Sequence, residues 1–403
     1  MTTIPRRAPG VRALGAALVA GLALAVACDS SVNPEDPGAL EVSISTTGEA
    51  LDPGGYSLVL DGVTREEGLE ADATVLVEDL DPRDYEVGLE NVAGNCGVED
   101  GNPRTVTVSP GDVVRTDFEV SCAVPRDEVI AFSRLDGGVW DIWIMDEDGS
   151  DPENLTDDPA TDMRPMTSRD GSRVAFESDR DGVKDVWTML IDGSGKQNVT
   201  QSSYEDIQPT WFQDGSRIAF ASDRDGTFDL WLMDPDGSNL ERITDGEGED
   251  LQPAISPDGS QIAFTSDREG GRDIWILDLG DGSLENVTSS DDEDQRPAWF
   301  PDGSGIAFFS DRSGTYDVWV MDADGSNPEN LTDSPDSWDV EPAVSLDGTR
   351  IAFNSDREGN ACEIACGLWE TNADIWVMDL DGSNLENLTE SPDTHEEDAA
   401  WES

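Results

Sequence analysis

The sequence predicts an all-β chain: a small N-terminal β-sandwich followed by a six-bladed β-propeller closed by the C-terminal strand. Three observations carry that expectation. The tripeptide Ile/Val-Ala-Phe recurs six times at spacings of 44 or 45 residues. Short segments of alternating apolar and polar residues precede the repeats, with Gly, Pro and Asp clusters between them. The last repeat is followed by Ala399-Ala400-Trp401, which matches Pro297-Ala298-Trp299 of an internal repeat and is a segment that the first repeat lacks.

Composition narrows the function before any motif is read. The 403 residues carry 24 Lys and Arg against 89 Asp and Glu, a formal charge of -65. A polyanion of this kind repels phosphate backbones and anionic headgroups, which excludes nucleic acid as a partner. Disorder is the other consequence of high net charge. It is countered here by 36% hydrophobic residues and 12 tryptophans, enough for a core. The shortage of lysine, with only Lys184 and Lys196, fits salty surroundings in which ions screen self-repulsion. The single histidine, His395, excludes metal sites built on several histidines. Any Ser/His/Asp or Cys/His mechanism would also have to use it, and it reads as an exposed loop residue.

Residues 1–27 read as an export signal. Arg6, Arg7 and Arg12 form a basic start, and Ala13 to Ala27 is a run of small and apolar residues too short for a bilayer span. The run ends in Leu24-Ala-Val-Ala-Cys28, which resembles the lipobox of bacterial lipoproteins. That resemblance implies cleavage before Cys28, lipidation of Cys28, and a place in the cell envelope facing the periplasm or the exterior. The membrane would then be met through the lipid anchor only. The alternative is an ordinary secretory signal cut after Ala-Val-Ala. Residues 28–37 follow as a polar, proline-bearing tether. Four cysteines remain, and an exported protein sits where disulfides persist. Sequence proximity pairs Cys96 with Cys122 and Cys362 with Cys366.

Residues 38–124 hold the alternating segments that begin at Leu40, Tyr56, Thr74, Tyr85, Thr105 and Thr116. Six or seven strands in so short a stretch make a one-core sandwich. In pattern it resembles the carboxypeptidase-regulatory and prealbumin-like domains of exported bacterial proteins.

Residues 128–403 hold the repeats. Ile/Val-Ala-Phe begins at Ile130, Val174, Ile218, Ile262, Ile306 and Ile351. Asp-aliphatic-Trp follows, starting at Asp141, Asp185, Asp229, Asp273, Asp317 and Asp374. An aliphatic-Thr pair then ends at Thr156, Thr200, Thr244, Thr288, Thr332 and Thr389. Pro-x-x-x-x-Asp-Gly comes last, at Pro165, Pro209, Pro253, Pro297 and Pro342. A period of this length with four short strands is the signature of one propeller blade per repeat. The innermost strand is expected just after each Pro. Asp-Gly supplies the positive φ of the following hairpin turn. Strand sharing between the C-terminus and the first repeat would seal the ring.

Pro297-Ala-Trp-Phe-Pro-Asp-Gly-Ser-Gly-Ile-Ala-Phe308 and Ser310-Asp-Arg-Ser-Gly-Thr-Tyr-Asp-Val-Trp-Val-Met-Asp322 resemble the WD40-like (PD40) repeats of the TolB C-terminal propeller. The resemblance implies a periplasmic, non-catalytic protein that docks peptides and an outer-membrane lipoprotein at its propeller mouth. The chain departs from that family in its sandwich domain, its lipobox-like signal and its acidity. The reading is a monomeric, non-catalytic binding or scaffold module for an envelope protein or peptide. The alternative is a carbohydrate- or peptide-processing enzyme that uses carboxylates in the central channel.

Several constellations carry two readings each. Asp179-Arg180, Asp223-Arg224, Asp267-Arg268, Asp311-Arg312 and Asp356-Arg357 occupy one equivalent loop in five repeats. They read as a ring for an anionic or peptide ligand, or as inter-blade ion pairs and turn bonds copied with the repeat. The turns Asp146-x-Asp148-Gly, Asp234-x-Asp236-Gly, Asp322-x-Asp324-Gly and Asp379-x-Asp381-Gly superficially resemble a calcium loop. They lack its further oxygens and its final Glu, so no cofactor is expected beyond weak calcium binding. Asn-x-Thr at Asn154, Asn198, Asn286, Asn330 and Asn387 reads as outer-strand sequence. The twelve-residue insertion of the last repeat, with Cys362, Cys366 and Trp369, is a recognition loop or a pinned surface loop.

Overall fold

The structure is a computed structural model that describes residues 11–13, 36–48, 55–99, 101–126, 128–246, 248–357, 372–390 and 394–401. The chain parts into two compact units, one of Met1–Val124 with Ser194–Gln197 and one of Pro125–Gly193 with Asn198–Ser403. Every described element is a strand, and none of the described residues forms a helix able to cross a membrane.

Among the described residues the N-terminal unit has two sheets. One orders Val11–Ala13, Thr74–Leu80, Gly38–Gly48, Val113–Cys122 and Cys96–Val98; the other orders Val63–Leu69, Tyr56–Leu60, Asp84–Glu90 and Arg104–Thr107. Period-two alternation buries Leu40, Val42 and Ile44 against Tyr56, Leu58, Leu60 and Phe118. Gly38–Gly48 and Val113–Cys122 run parallel. Cys96 lies directly opposite Cys122 in an antiparallel pair, and the two form the expected disulfide, with Cα atoms 4.0 Å apart. Cys28, Cys362, Cys366 and Trp369 lie outside the described residues.

The second unit contains, among the described residues, six four-stranded sheets. Their inner strands are His395–Trp401, Asp162–Thr167, Asp206–Trp211, Asp250–Ile255, Asp294–Trp299 and Asp339–Val344. Each inner strand contacts the next, and the series returns to its start, so the blades form a ring. Closure follows the expected route. His395–Trp401 pairs with Val129–Asp136, placing Trp401 opposite Ile130 and Ala400 opposite Ala131. The inner strands begin earlier than expected, three residues before the Pro, which sits mid-strand. A proline without an N–H is tolerated there because each strand carries a bulge at that point, as between Met163 and Met166.

Blades pack large against small. Ala263, Ile274 and Ile276 of the fourth blade meet Ile306, Phe308 and Met321 of the fifth. The sixth blade meets the first in the same way, Ala352 against Phe132 and Trp401. The alanine in the middle of every Ile/Val-Ala-Phe strand is completely buried, which explains why nothing larger stands there.

Candidate functional site

The repeated Asp-Arg pairs come first, because their chemistry is consumed inside each blade. Arg180, Arg224, Arg268, Arg312 and Arg357 donate to Asp162, Asp206, Asp250, Asp294 and Asp339 at 2.6 or 2.7 Å. Each acceptor is the first residue of the same blade's inner strand, so these are intra-blade pairs and not the inter-blade pairs weighed from sequence. The arginine Nε of each also bonds the serine hydroxyl two residues earlier. Its guanidinium lies over the Phe and Trp that face each other in the second and third strands, as Arg180 does over Phe176 and Trp187. The neighbouring aspartates cap the inner strand: Asp179 accepts from the Thr161 N–H, Asp223 from Glu205, Asp267 from Glu249, Asp311 from Glu293 and Asp356 from Trp338. None of these ten residues lines the cavity described below.

The other motifs are equally occupied. Asp141 accepts from the Asn154 amide and the Thr156 hydroxyl, so Asp-Ile-Trp and Asn-Leu-Thr form one network that ties the outer strand on. Asp148, Asp236, Asp324 and Asp381 each accept from the N–H of the serine two residues on. Among the described residues no cluster of three His, Cys, Asp or Glu side chains is arranged to hold a metal ion. His395 is a correction. It opens the closing strand, 2% exposed, with its Nδ1 accepting from the Ala373 N–H and its Nε2 2.7 Å from Glu397. Strand pairing with the first blade, which no loop reading anticipates, buries it.

The ring axis holds a feature that the motif reading missed. The residue before each inner-strand proline, or before Ala399, has a left-handed backbone: Arg164, Gln208, Gln252, Arg296, Glu341 and Asp398 all have φ between 55° and 58°. Sequence identity at this position varies, so only its fixed place before Pro marks it. The bulge turns these side chains toward the axis, where they bond around it. Gln208 Oε1 accepts from the Gln252 N–H, Gln252 Oε1 from the Arg296 N–H, and Glu341 Oε2 from the Asp398 N–H. One Arg296 nitrogen reaches both Glu341 and Asp398 at 2.7 Å. Burial raises the Glu341 carboxyl well above the usual range, with Arg296 opposing. Burial would also raise Asp398, but Arg296 and Arg164 outweigh it and hold that carboxyl low.

On one side of this ring lies a cavity of about 150 Å³. Its floor is Arg164, Gln208, Gln252 and Arg296; its collar is Pro165, Pro209, Pro253, Pro297 and Pro342; its outer wall includes Trp211, Trp299 and Trp401. Among the described residues no Asp or Glu lines it, although the chain has 89 of them. The lining extends to Gln213, Pro301 and Leu346 near the hairpin turns, so it faces that end of the channel.

Comparison with known proteins agrees with this architecture. The PD40 model, a TolB beta propeller domain, matches residues 194–299. A putative TolB from Agrobacterium tumefaciens is similar at 21% identity and TM-score 0.54, covering 64% of this chain and 88% of that one. TolB from Acinetobacter baumannii is similar at 23% identity and TM-score 0.58, over 69% and 68% of the two chains. Kuenenia stuttgartiensis hydrazine synthase shares the fold at 15% identity and TM-score 0.55, over 69% of this chain and 47% of that one. No curated protein matches the chain. The domain that builds the axial cavity therefore has the β-propeller fold of TolB, with the PD40 match confined to residues 194–299.

Proposed function

We propose that this chain is an exported, non-catalytic binding module of the bacterial cell envelope, anchored through Cys28, whose axial cavity holds part of a protein or peptide partner. The observation that carries this reading is the cavity itself. Apolar walls with a few convergent donors are the usual make-up of a binding pocket. The motif aspartates and arginines, by contrast, are engaged within their own blades. Similarity to TolB propellers supports a protein partner and an envelope location.

Capture from envelope extract tests it. The Ala343→Trp variant fills the cavity, and it should lose a partner that the wild-type chain retains while unfolding at a similar temperature. Equal recovery would remove the cavity from the account. Deleting residues 360–372 in parallel asks whether the insertion contributes, and unchanged recovery would make it a pinned surface loop. Labelled fatty acid should enter the wild-type chain and not Cys28→Ser.

One observation favours the second reading, an enzyme using channel carboxylates. Glu341 and Asp398 converge on Arg296 with their proton affinities pushed apart, a pattern found in acid–base pairs. Both are absent from the cavity lining, and Arg296 stands in its floor. A hydrolytic or lyase activity abolished by Glu341→Gln would decide for the enzyme.

A further inference from the structure

In so acidic a chain, a cavity with no lining carboxylate among the described residues calls for a ligand of opposite character. Its floor presents donors. Gln208 and Gln252 have their oxygens bound within the ring, which leaves their amide N–H groups for the cavity. Arg296 is held by Glu341 and Asp398. Arg164 is held differently. Its nearest carboxylate oxygens lie 3.5 Å away on Asp398 and 3.6 Å away on Glu177, and its buried Nε has no hydrogen-bond partner among the described residues.

Those two carboxylates are already engaged. Glu177 takes Lys184 at 2.6 Å and the Gln208 N–H at 3.2 Å. Asp398 takes Arg296 at 2.7 Å and the Ser133 hydroxyl at 3.0 Å. Arg164 is thus a guanidinium that lines the cavity with its carboxylate neighbours at long range, beside two amide donors. A planar fork of that kind matches a carboxylate. The remaining space, about 150 Å³ between prolines and tryptophans, suits one apolar group of roughly benzene size. A carboxylate and an apolar side chain on one carbon is the end of a peptide.

Building on the binding reading above, we propose that the axial cavity takes the C-terminal residue of a peptide partner, an apolar side chain against the collar and the terminal carboxylate on Arg164.

Calorimetry with the mature chain tests this with three probes: acetyl-Gly-Ser-Gly-Ser-Phe with a free C-terminus, the same peptide amidated, and 3-phenylpropionate. The free acid peptide should bind about ten- to a hundredfold more tightly than the amide, the range expected for a charge-assisted pair. Arg164→Gln, with its unfolding temperature checked against wild type, should bring the two peptides to within about twofold of each other. Equal binding of acid and amide to the wild-type chain overturns the carboxylate assignment while leaving the cavity a binding site. A preference that survives in Arg164→Gln overturns the role of Arg164. Binding of 3-phenylpropionate alone overturns the peptide as source, and binding of no probe overturns the inference as a whole. Failure of the broader reading would show separately, as partner capture unaffected by Ala343→Trp.

Discussion

Arg134 donates to Glu396 at 2.9 Å, and this pair fills in the first blade the place that Arg180 and Asp162 fill in the second. The arginine comes from two residues earlier in the repeat, and the longer glutamate stands where the other blades have aspartate. Its guanidinium still lies over the facing Phe132 and Trp143, at 5.2 and 4.4 Å from their centroids. The clamp is therefore present in all six blades, although the Asp-Arg dipeptide that signals it occurs in only five.

This clamp predicts a pH dependence. Burial pushes the Glu396 carboxyl up to about 7, against the pull of Thr394 and Arg134. The folded state then holds a proton that the unfolded chain releases near its ordinary value. The resulting stability is complete below about pH 4.5 and is lost as pH rises to about 7, by at most roughly 3 kcal/mol. Glu396→Gln keeps an acceptor for Arg134 and removes the titration. Urea unfolding between pH 4.5 and 8 should show wild type losing stability relative to Glu396→Gln across that window. Parallel curves would contradict the assignment.

Blade spacing predicts an asymmetry between glycines. A Cβ on Gly237, at φ 83°, would stand 2.0 Å from the Val199 carbonyl oxygen of the preceding blade. A Cβ on Gly215, at φ 67°, would meet nothing within 4 Å. Gly215→Ala should cost only the strain of a left-handed alanine, about 1 kcal/mol. Gly237→Ala should cost clearly more, at least about 2 kcal/mol, since two blades must also move apart. Equal costs in denaturant titrations would refute close blade contact at the outer turns.

Ring closure makes the C-terminal strand essential to the first blade. Ending the chain at residue 394 removes the inner strand and with it the buried Ala399, Ala400 and Trp401. The second strand of the first blade then becomes an open edge. The shortened chain should unfold at much lower denaturant and aggregate, and a synthetic peptide of residues 395–401 should partly restore it. An undisturbed transition would show that the ring is closed by other means.

The sequence made the fold legible because a closed ring repeats its solution. The spacing of Ile-Ala-Phe counts the blades, and Ala399-Ala400-Trp401 betrays the shared strand. Reading failed where position matters more than identity. The axial ring reads Arg, Gln, Gln, Arg, Glu, Asp, with no common chemistry, and the strand bulge, marked by a following proline in five of the six, turns those residues inward. The inner strands start four residues before the position expected just after each proline, because the bulge accommodates proline mid-strand. The Arg134–Glu396 clamp escaped because a two-residue shift in sequence ends at the same point in space. His395 looked exposed because its burial depends on pairing with a strand some 260 residues earlier.

Site-specific photo-crosslinking in the living envelope tests the binding account most directly. A photoreactive residue at Ala343, in the cavity wall, should yield a crosslinked partner, and one at Leu240, exposed on an outer turn, should not. A partner crosslinked from Leu240 with none from Ala343 would contradict it.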